Sequence, residues 1–449
     1  MDRDRLRSLI LDERDRFARE HPRSRALFEE ARSNLLAGVP MSWMARWPGG
    51  HPIFAAEGSG ARITDVDGIT YVDLCLGDTG AMAGHGPAAT AQAVAERYRA
   101  GATMMLPTED SIWVAGELER RFGLPKWQLT LSATDANRFA IRLARQITGR
   151  RRVLVFSYCY HGTVDETLIV IGPDGRVSSR EGNVGPPIDP TETTSVVEFN
   201  DLDSLERVLR EEEIACVLTE PALTNIGIVL PEAGFHASLR ELTHSTGTLL
   251  LIDETHTFSA GPGGYTAAHG LQPDILTIGK AIAGGVPAGA FGMSDEVAER
   301  VAAQAGADYE DTGGVGGTLA GNSLSAAAIR ATLEEVLTPA AFERMIALAG
   351  RFARGVQDRL DADRLPWHVV QLGARAEYGF LPKPPVSGGE AAAGADPELE
   401  EYLHLFLLNR RVLITPFHNM ALMSPATEPE QVDRHSEAFA EACRLLVSA

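Results

Sequence analysis

The feature that most constrains the fold is an alternation of short apolar runs with helical patterns, which begins at Gln128 and continues to about residue 292. Helical patterns lie between most of the runs, for example at 137–148, 202–211 and 232–244. This alternation is typical of a mainly parallel sheet covered by helices on both faces, so the sequence predicts an α/β fold. The runs predicted as strands are 128–131, 153–156, 195–198, 215–219, 248–252, 275–278 and 288–292.

The two chain ends carry further elements, and 449 residues are enough for two domains. The Gly, Pro and Ala-rich segment 382–397 is predicted to be an exposed and mobile loop. Further helices are predicted within 1–37, at 88–101, 109–122, 323–360 and 428–447, and further strands at 53–76 (with a hairpin turn at Asp67-Gly68), 367–372, 376–380 and 412–415. We predict an N-terminal arm with part of a small domain (1–80), a large domain (81–335) and a C-terminal small domain (336–449).

Two neighbouring predicted strands end at chemically distinctive residues, Asp253 and Lys280. The carboxyl ends of parallel strands form one edge of a sheet, so both side chains are expected at one site. Only three of the 41 basic residues are lysines, and Lys280 alone lies in an apolar context. An amine can lose its proton where a guanidinium cannot, and Schiff-base formation is the commonest use of such an amine. The alternative is a strand-end lysine whose amine reaches solvent.

Two other strand ends carry polar or aromatic groups at the same predicted edge. Ser132, Ala133 and Thr134 lie between a strand and a helix, where free N–H groups form a phosphate seat, although Ser and Thr are also ordinary helix caps. Tyr160 and His161 follow the strand at 153–156. Either ring could stack on a flat cofactor, and core packing is the alternative.

Composition favours chemistry on small molecules. The net charge is -20 and the basic residues are scattered, which argues against binding to nucleic acid or to an anionic membrane. The four cysteines are widely spaced and no HExxH motif occurs, so neither a disulfide framework nor a metal site is predicted. The N-terminus is charged throughout and no apolar run approaches the ~18 residues of a membrane span. A cytoplasmic protein is expected.

The motifs SATDAN, YHG, EPALTNIG, LLIDET, ILTIGKAIAGGVPAGAFG and GGTLAGN follow one another between residues 132 and 322. In this order they resemble the class III (subgroup II) pyridoxal-phosphate aminotransferases. The resemblance is greatest to the branch of glutamate-1-semialdehyde aminomutases and of β-amino acid and ω-amine aminotransferases. It implies the pyridoxal-phosphate (PLP) fold type I, with a mostly parallel seven-stranded sheet in a large domain and a small α+β domain formed by both chain ends.

The resemblance also implies roles for individual residues. Lys280 would form the internal aldimine with pyridoxal 5'-phosphate and then carry the proton, and Asp253 would keep the pyridine nitrogen protonated. Tyr160 would stack on the ring, with Thr255 against the opposite face where the family usually has valine. Gly317 and Thr318 would reach the phosphate of the partner subunit, which implies a homodimer with active sites at the interface. The other cofactor-binding positions implied are Ser132, Ala133, Thr134, His161, Glu220 and Asn225.

Departures from the family pattern bear on the substrate. Phe417-His418-Asn419-Met420 replaces a stretch that carries a glutamate in the aminomutases. Trp43 and Trp47 line a pocket or, alternatively, fasten their loop to the core. Arg375 is a candidate partner for a substrate carboxylate, with a surface salt bridge as the alternative. His418 is, with Trp43, Trp47 and Arg375, the fourth residue predicted to contact the substrate.

We therefore predict a transaminase that moves an amino group from an amine or a β/ω-amino acid to a 2-oxo acid such as pyruvate. The cycle would be ping-pong. The alternative is a 2,1-aminomutase of the glutamate-1-semialdehyde type.

Overall fold

The computed structural model of the protein describes residues 2–304 and 314–447. Its helices are α1 (Arg3–Glu20), α2 (Pro22–Ala31), α3 (Ala88–Ala100), α4 (Glu109–Phe122), α5 (Ala133–Thr148), α6 (Leu202–Glu211), α7 (Phe235–Thr246), α8 (Gly264–His269), α9 (Asp295–Ala303), α10 (Ser323–Ala331), α11 (Pro339–Asp363), α12 (Gly388–Ala393), α13 (Pro397–Asn409) and α14 (Pro429–Val447). Its strands are β1 (Ala55–Ser59), β2 (Arg62–Asp65), β3 (Thr70–Asp73), β4 (Lys126–Thr130), β5 (Arg152–Phe156), β6 (Ile169–Ile171), β7 (Val177–Ser179), β8 (Thr194–Val197), β9 (Ile214–Thr219), β10 (Leu249–Asp253), β11 (Ile275–Gly279), β12 (Gly289–Met293), β13 (His368–Leu372), β14 (Arg375–Gly379), β15 (Val412–Leu413) and β16 (Met420–Leu422).

The chain forms two compact units. Unit 1 consists of Met1–Pro87, Glu343–Pro384 and Gly394–Ala449, and unit 2 consists of Ala88–Phe342 and Pro385–Ala393. The predicted boundaries after residues 80 and 335 therefore lie slightly before the observed ones, after Pro87 and Phe342. Within the described ranges, no helix is long and apolar enough to cross a membrane.

Unit 2 is built on a seven-stranded sheet in the order β4-β12-β11-β10-β9-β5-β8. The pairs from β11 to β8 are all parallel, whereas β12 runs antiparallel to both of its neighbours. The strands β9, β10 and β11 are buried along their whole length, because helices such as α5 and α7 cover the sheet. The predicted α/β fold with a mostly parallel seven-stranded sheet is confirmed, and each of the seven predicted strands is present.

Unit 1 contains two smaller sheets, of order β1-β2-β3-β15 and β13-β14-β16. Strand β15 comes from the C-terminal part of the chain and pairs in parallel with β3 near the N-terminus. The hairpin predicted at Asp67-Gly68 connects β2 to β3, and Asp65 Oδ1 accepts hydrogen bonds from the backbone of that turn. A buried cluster holds both chain ends together, and its members are Phe17, Tyr71, Leu405, Leu408 and Leu413.

The segment 385–393 differs from its prediction in two ways. It was predicted as a mobile loop of the C-terminal domain, but it contains helix α12 and packs with unit 2. Gly388 is so close to the neighbouring backbone that a Cβ there would lie 2.3 Å from Ser157 O, and Gly389 N donates to Glu198 Oε2 at 3.2 Å. At these positions glycine permits close packing, whereas the composition of the segment had suggested flexibility.

Candidate active site

Asp253 is the last residue of β10, and its side chain is buried in unit 2. Oδ2 accepts a hydrogen bond from Asn137 Nδ2 at 2.7 Å and lies 3.0 Å from His161 Nδ1, while Oδ1 accepts from Thr255 N at 3.0 Å. A carboxylate offers about four acceptor positions. These three donors therefore leave capacity for one further donor.

The electrostatics of this group favour a charged carboxylate. Burial opposes ionisation of Asp253, but the hydrogen bonds from His161, Thr255 and Asn137 outweigh it and lower the pKa of Asp253. Burial likewise disfavours the imidazolium of His161, but the facing Cys159 sulfur and the Asp253 carboxylate hold the pKa of His161 well above its usual range. Both shifts favour a charged carboxylate that faces a protonated imidazole. Among the described residues, His161 Nε2 has no hydrogen-bond partner.

Lys280 lies directly after β11, next to β10 in the sheet. Its backbone has a φ of 49°, in the left-handed region that residues other than glycine seldom adopt. Such strain is retained where the surrounding structure enforces it, often at functional sites. The Lys280 amine Nζ lies 2.8 Å from His256 Nε2. The predicted convergence of Asp253 and Lys280 at one sheet edge is consistent with this arrangement, since Asp253 pairs with Thr277, three residues before the lysine.

The N-terminus of α5 forms a cradle beside these strand ends. Ser132 is the N-cap, and its Oγ accepts from Asp135 N at 3.2 Å. A Cβ at Gly279 would lie 2.8 Å from Ala133 N, and a Cβ at Gly289 would lie 2.5 Å from Ser132 O. The N–H groups of the first helical turn have no acceptor within the helix, and an anion is their usual ligand at such a position.

Tyr160, Glu220 and Asn225 lie at the ends of neighbouring strands. Glu220 Oε1 accepts from Tyr160 N at 3.4 Å, and Oε2 accepts from both the N–H and the hydroxyl of Thr224. Burial raises the pKa of Glu220. The side-chain oxygen of Asn225 accepts from the Arg180 guanidinium at 2.8 and 3.0 Å once its amide is oriented to match its neighbours.

Three residues of this region escaped prediction from the sequence. Asn137 on α5 donates to Asp253 and accepts from Thr277 Oγ1 at 2.6 Å. An asparagine in the middle of an apolar helical stripe was the available signal. His256 and Arg180 had no such signal, because only the fold brings them to Lys280 and Asn225.

Gly317 and Thr318 are exposed in unit 2. Gly316 and Gly317 have φ values of 108° and 135°, which glycine adopts readily. An exposed Thr318 is compatible with a contact to a second subunit.

Trp43 and Trp47 of unit 1 differ in their surroundings. Trp43 lies edge-on to Phe417, with ring centroids 5.7 Å apart, so that the loop of Trp43 meets the turn of His418. Trp47 packs against the buried cluster of Phe17 and Tyr71. Trp47 therefore fastens its loop to the core, one of the two alternatives predicted for it. His418 is buried, with Nδ1 3.5 Å from Glu377 Oε1.

Arg375 is fully buried at the start of β14. The alternative of an ordinary surface salt bridge is therefore wrong. Among the described residues, none accepts a hydrogen bond from its Nε, Nη1 or Nη2. A buried guanidinium without a partner is costly.

The residues of unit 2 fit pyridoxal phosphate. The acceptor capacity left on Asp253 suits a protonated pyridine nitrogen, the α5 cradle suits a phosphate, and the Lys280 amine suits an aldehyde. In residues 2–304 and 314–447, no group of three or more His, Cys, Asp or Glu side chains is arranged to hold a metal ion. The fold and these residues define a pyridoxal-phosphate enzyme of fold type I.

Comparison with known proteins gives the family. The model of the aminotransferase class-III family matches residues 43–382. A glutamate-1-semialdehyde 2,1-aminomutase of Desulforudis audaxviator (strain MP104C) is 35% identical over 436 residues, which is 96% of this chain and 99% of the relative. The chain belongs to the class-III aminotransferases, and its cofactor is pyridoxal phosphate.

Solved structures agree with this assignment. A variant glutamate-1-semialdehyde-aminomutase from Pseudomonas aeruginosa PAO1, in complex with PMP, has a TM-score of 0.96 at 49% identity and covers 99% of both chains. An omega-transaminase from Sphaerobacter thermophilus has a TM-score of 0.85 at 29% identity, covering 94% of this chain and 97% of that chain. The predicted resemblance, fold type, enzyme class and cofactor are thus confirmed.

Proposed function

We propose that this protein is a transaminase that moves an amino group from an amine or a β/ω-amino acid to a 2-oxo acid such as pyruvate. The donor leaves as a carbonyl compound and the acceptor leaves as an amino acid, so the two half-reactions balance. The observation that carries the proposal is the Lys280 amine at the strand edge that also holds the buried, hydrogen-bonded Asp253.

The proposed roles follow from the position of each group. When bound, pyridoxal phosphate supplies an aldehyde that condenses with amines and a ring that accepts electrons. Asp253 would hold a proton on the ring nitrogen, because its charge is stabilised by Asn137 and by the imidazolium of His161. Lys280 Nζ would bind the aldehyde carbon and yield it to the incoming amine. The freed amine would then move a proton from the substrate carbon that bears the nitrogen to the former aldehyde carbon.

Other residues would bind and orient the cofactor. The N–H groups of Ala133 and Thr134, with Ser132 as the cap, would bind the phosphate at the positive end of α5. Tyr160 and Thr255 would cover the two faces of the ring, and His161, Glu220 and Asn225 would line its edge. Together they would hold the ring in one orientation relative to the Lys280 amine.

A homodimer is part of this proposal, with Gly317 and Thr318 of one subunit beside the phosphate of the other. Its support is the exposure of Thr318 together with large exposed apolar side chains on the same unit, which a partner surface would cover. These exposed side chains are Tyr98, Met104, Met105, Leu106, Ile112 and Leu319.

Substrate recognition is proposed for Trp43, Arg375 and His418, with Trp47 as a support of the loop. Arg375 is the candidate for a carboxylate, because its buried guanidinium lacks a partner among the described residues and arginine binds carboxylates in a bidentate manner. An Arg375→Gln variant should raise KM for pyruvate about tenfold or more while leaving KM for a simple amine donor unchanged. Equal effects on both substrates would argue against this role.

Borohydride reduction followed by peptide mapping tests the mechanism. Only Lys126, Lys280 and Lys383 are available, and the first and last are exposed. We expect a pyridoxyl group on Lys280 alone. A Lys280→Arg variant should fold, stay unlabelled and lose turnover, whereas the matched Lys126→Arg variant should behave as the wild type. Label elsewhere, or activity in Lys280→Arg, would refute the mechanism.

A second candidate, a 2,1-aminomutase, is favoured by the names of relatives such as the 35% identical protein. Against it, the stretch Phe417-His418-Asn419 has no carboxylate where the aminomutases carry a glutamate. The Asn419 side chain does not replace that group, since its Oδ1 is already hydrogen-bonded to His404 Nε2. An aminomutase needs no separate acceptor. Turnover of glutamate-1-semialdehyde without added 2-oxo acid would establish the second candidate, and amine consumption that requires pyruvate would establish the first.

A further inference from the structure

We infer that His256 is a positioning residue that holds the Lys280 amine while the amine carries protons. The inference rests on the proposed function, since it concerns the same lysine. The geometry that carries it is the 2.8 Å contact between His256 Nε2 and Lys280 Nζ.

The backbone on both sides of this contact is firmly held. His256 is buried in the turn that follows β10, and Glu254 N in the same turn donates to Thr277 O of β11 at 2.9 Å. The Glu254 carboxylate accepts from Tyr265 N at 3.1 Å and from Thr257 Oγ1. The imidazole is therefore fixed with respect to the strand from which Lys280 projects.

The packing around this turn leaves little room for movement. A Cβ at Gly264 would lie 2.5 Å from Glu254 Oε2, so the two chain segments are in close contact. A side chain on so tightly packed a turn keeps its place during a reaction cycle. His256 can thus serve as a fixed reference point for a flexible partner.

A lysine needs such a reference point when it works as a base. Its four-carbon stem has considerable rotamer freedom, and its amine is released whenever a substrate amine replaces it on the cofactor. An imidazole nitrogen can accept from the ammonium or donate to the free amine, depending on the tautomer. Because a displacement of about 1 Å can cost on the order of a hundredfold in rate, a partner that fixes Nζ should be visible in the proton-transfer step.

The alternative is that His256 only fills space in the turn. The two readings differ in which substitutions restore the rate. Glutamine places an amide near the position of Nε2 and can bind the amine, whereas leucine fills the volume without a polar atom. A space-filling role predicts that leucine is at least as good as glutamine.

The test uses the wild type, His256→Leu, His256→Gln and, as a control imidazole away from Lys280, His269→Leu. Each protein is saturated with pyridoxal phosphate, and borohydride label on Lys280 is measured first. The spectral change of the cofactor is then followed in single turnovers, with donor that carries protium or deuterium on the carbon bearing the amine.

We expect full label on Lys280 in all four proteins. His256→Leu should slow the single turnover about tenfold to a hundredfold and increase the isotope effect, because proton transfer becomes more rate-limiting. His256→Gln should stay within about threefold of the wild type, and His269→Leu should match the wild type.

The inference is overturned if His256→Leu keeps the wild-type rate and isotope effect, or if glutamine and leucine are equally slow with an unchanged isotope effect. If His256→Leu does not fold, His256→Asn replaces it, since its shorter amide cannot reach Nζ. A slow single turnover in His256→Asn with a fast one in His256→Gln supports the inference. Equal rates in the two variants refute it. Absence of label from wild-type Lys280 would instead refute the proposed function itself.

Discussion

Asn137 connects three of the elements around the candidate active site through a single side chain. Its Nδ2 donates to Asp253 Oδ2 and to His161 O, and its Oδ1 accepts from Thr277 Oγ1. The asparagine is fully buried, so each of these bonds replaces water that cannot enter. The amide both stabilises the charge of Asp253 and ties α5 to two strands.

Replacement of Asn137 by leucine should therefore affect stability and cofactor binding together. The loss leaves Thr277 Oγ1 and one position on Asp253 without a partner, which should lower the free energy of unfolding by about 2 kcal/mol. Affinity for pyridoxal phosphate should fall about tenfold, since Asp253 ionises less readily. Urea unfolding and cofactor titration measure the two effects. Gln146→Leu, at an exposed position of the same helix, is the control, and an Asn137→Leu protein indistinguishable from it would contradict this role.

Glu400 on α13 provides a second prediction at the level of one residue. Burial raises the pKa of Glu400 from 4.5 to about 7, and Glu377 and Asp396 add to this, while His418 opposes it. A carboxyl whose pKa is raised by folding binds more protons in the folded state than in the unfolded state. Its contribution to stability is therefore complete below pH 4.5 and is lost as the pH rises through about 7.

A Glu400→Gln variant should remove this pH dependence. Relative to wild type, it should gain about 2 kcal/mol in free energy of unfolding above about pH 8, and little below about pH 5. Thermal unfolding across this range measures the difference. The exposed Glu437→Gln on α14 is the control. A gain of equal size at both pH values would show that titration is not the cause.

Individual site residues differed in how far the sequence could predict them. Lys280 and Asp253 were recognisable, because a charge that ends an apolar strand is unusual and lysine is rare in this chain. His256 was not, since its partner lies 24 positions away and only the turn after β10 brings the two together. Arg375 was predicted as a candidate for binding a carboxylate, but its complete burial was not predicted. Its position at the start of a strand gives no information about which side chains cover it.

At the scale of elements, the candidate site depends on close contact between β11, β12 and the start of α5. Gly279 and Gly289 permit it, because both lie opposite the backbone of Ser132 and Ala133. The N–H groups of the first turn of α5 are thereby set against the strand ends. The spacing of sheet and helix thus determines where an anion can bind.

A Gly279→Ala substitution should push these elements apart. The added Cβ would lie 2.8 Å from Ala133 N, so either the helix or the strand must move. We expect a loss of about 2 kcal/mol in stability and a lower affinity for free inorganic phosphate and for pyridoxal phosphate. Gly116→Ala on α4 should leave both affinities unchanged, because no atom of the described residues would lie within 4 Å of the added Cβ. Unchanged phosphate affinity in Gly279→Ala would argue against the cradle.

The elements themselves were largely predictable. The strands β9, β10, β11 and β12 are buried along their whole length, and such strands appear in a sequence as continuous apolar runs between turn signals. Helix α12 was missed because Gly388 and Gly389 suggest a flexible loop, whereas here they allow contact with Ser157 and Glu198. Long-range contacts of this kind leave no local pattern.

At the scale of the whole molecule, the exposed apolar side chains of unit 2 bear on the oligomeric state. Met105 is 74% exposed and Ile112 is 75% exposed, at the end of a loop and at the start of α4 respectively. Exposure of apolar side chains of this size to water is unfavourable. Burial against a partner surface would stabilise the complex by roughly 25 cal/mol for each Å² of apolar area removed from water. The homodimer predicted from Thr318 would provide that surface.

Charged substitutions at these two positions should therefore weaken the dimer. Met105→Asp together with Ile112→Asp should raise the dimer dissociation constant at least a hundredfold, measured by sedimentation at graded protein concentrations. Cofactor affinity should fall in parallel, because Thr318 of the second subunit would leave the phosphate. Leu11→Asp, at an exposed apolar position on α1 in unit 1, is the matched control and should dissociate as the wild type does. A wild-type protein that is monomeric at micromolar concentration and still binds the cofactor tightly would contradict the predicted dimer.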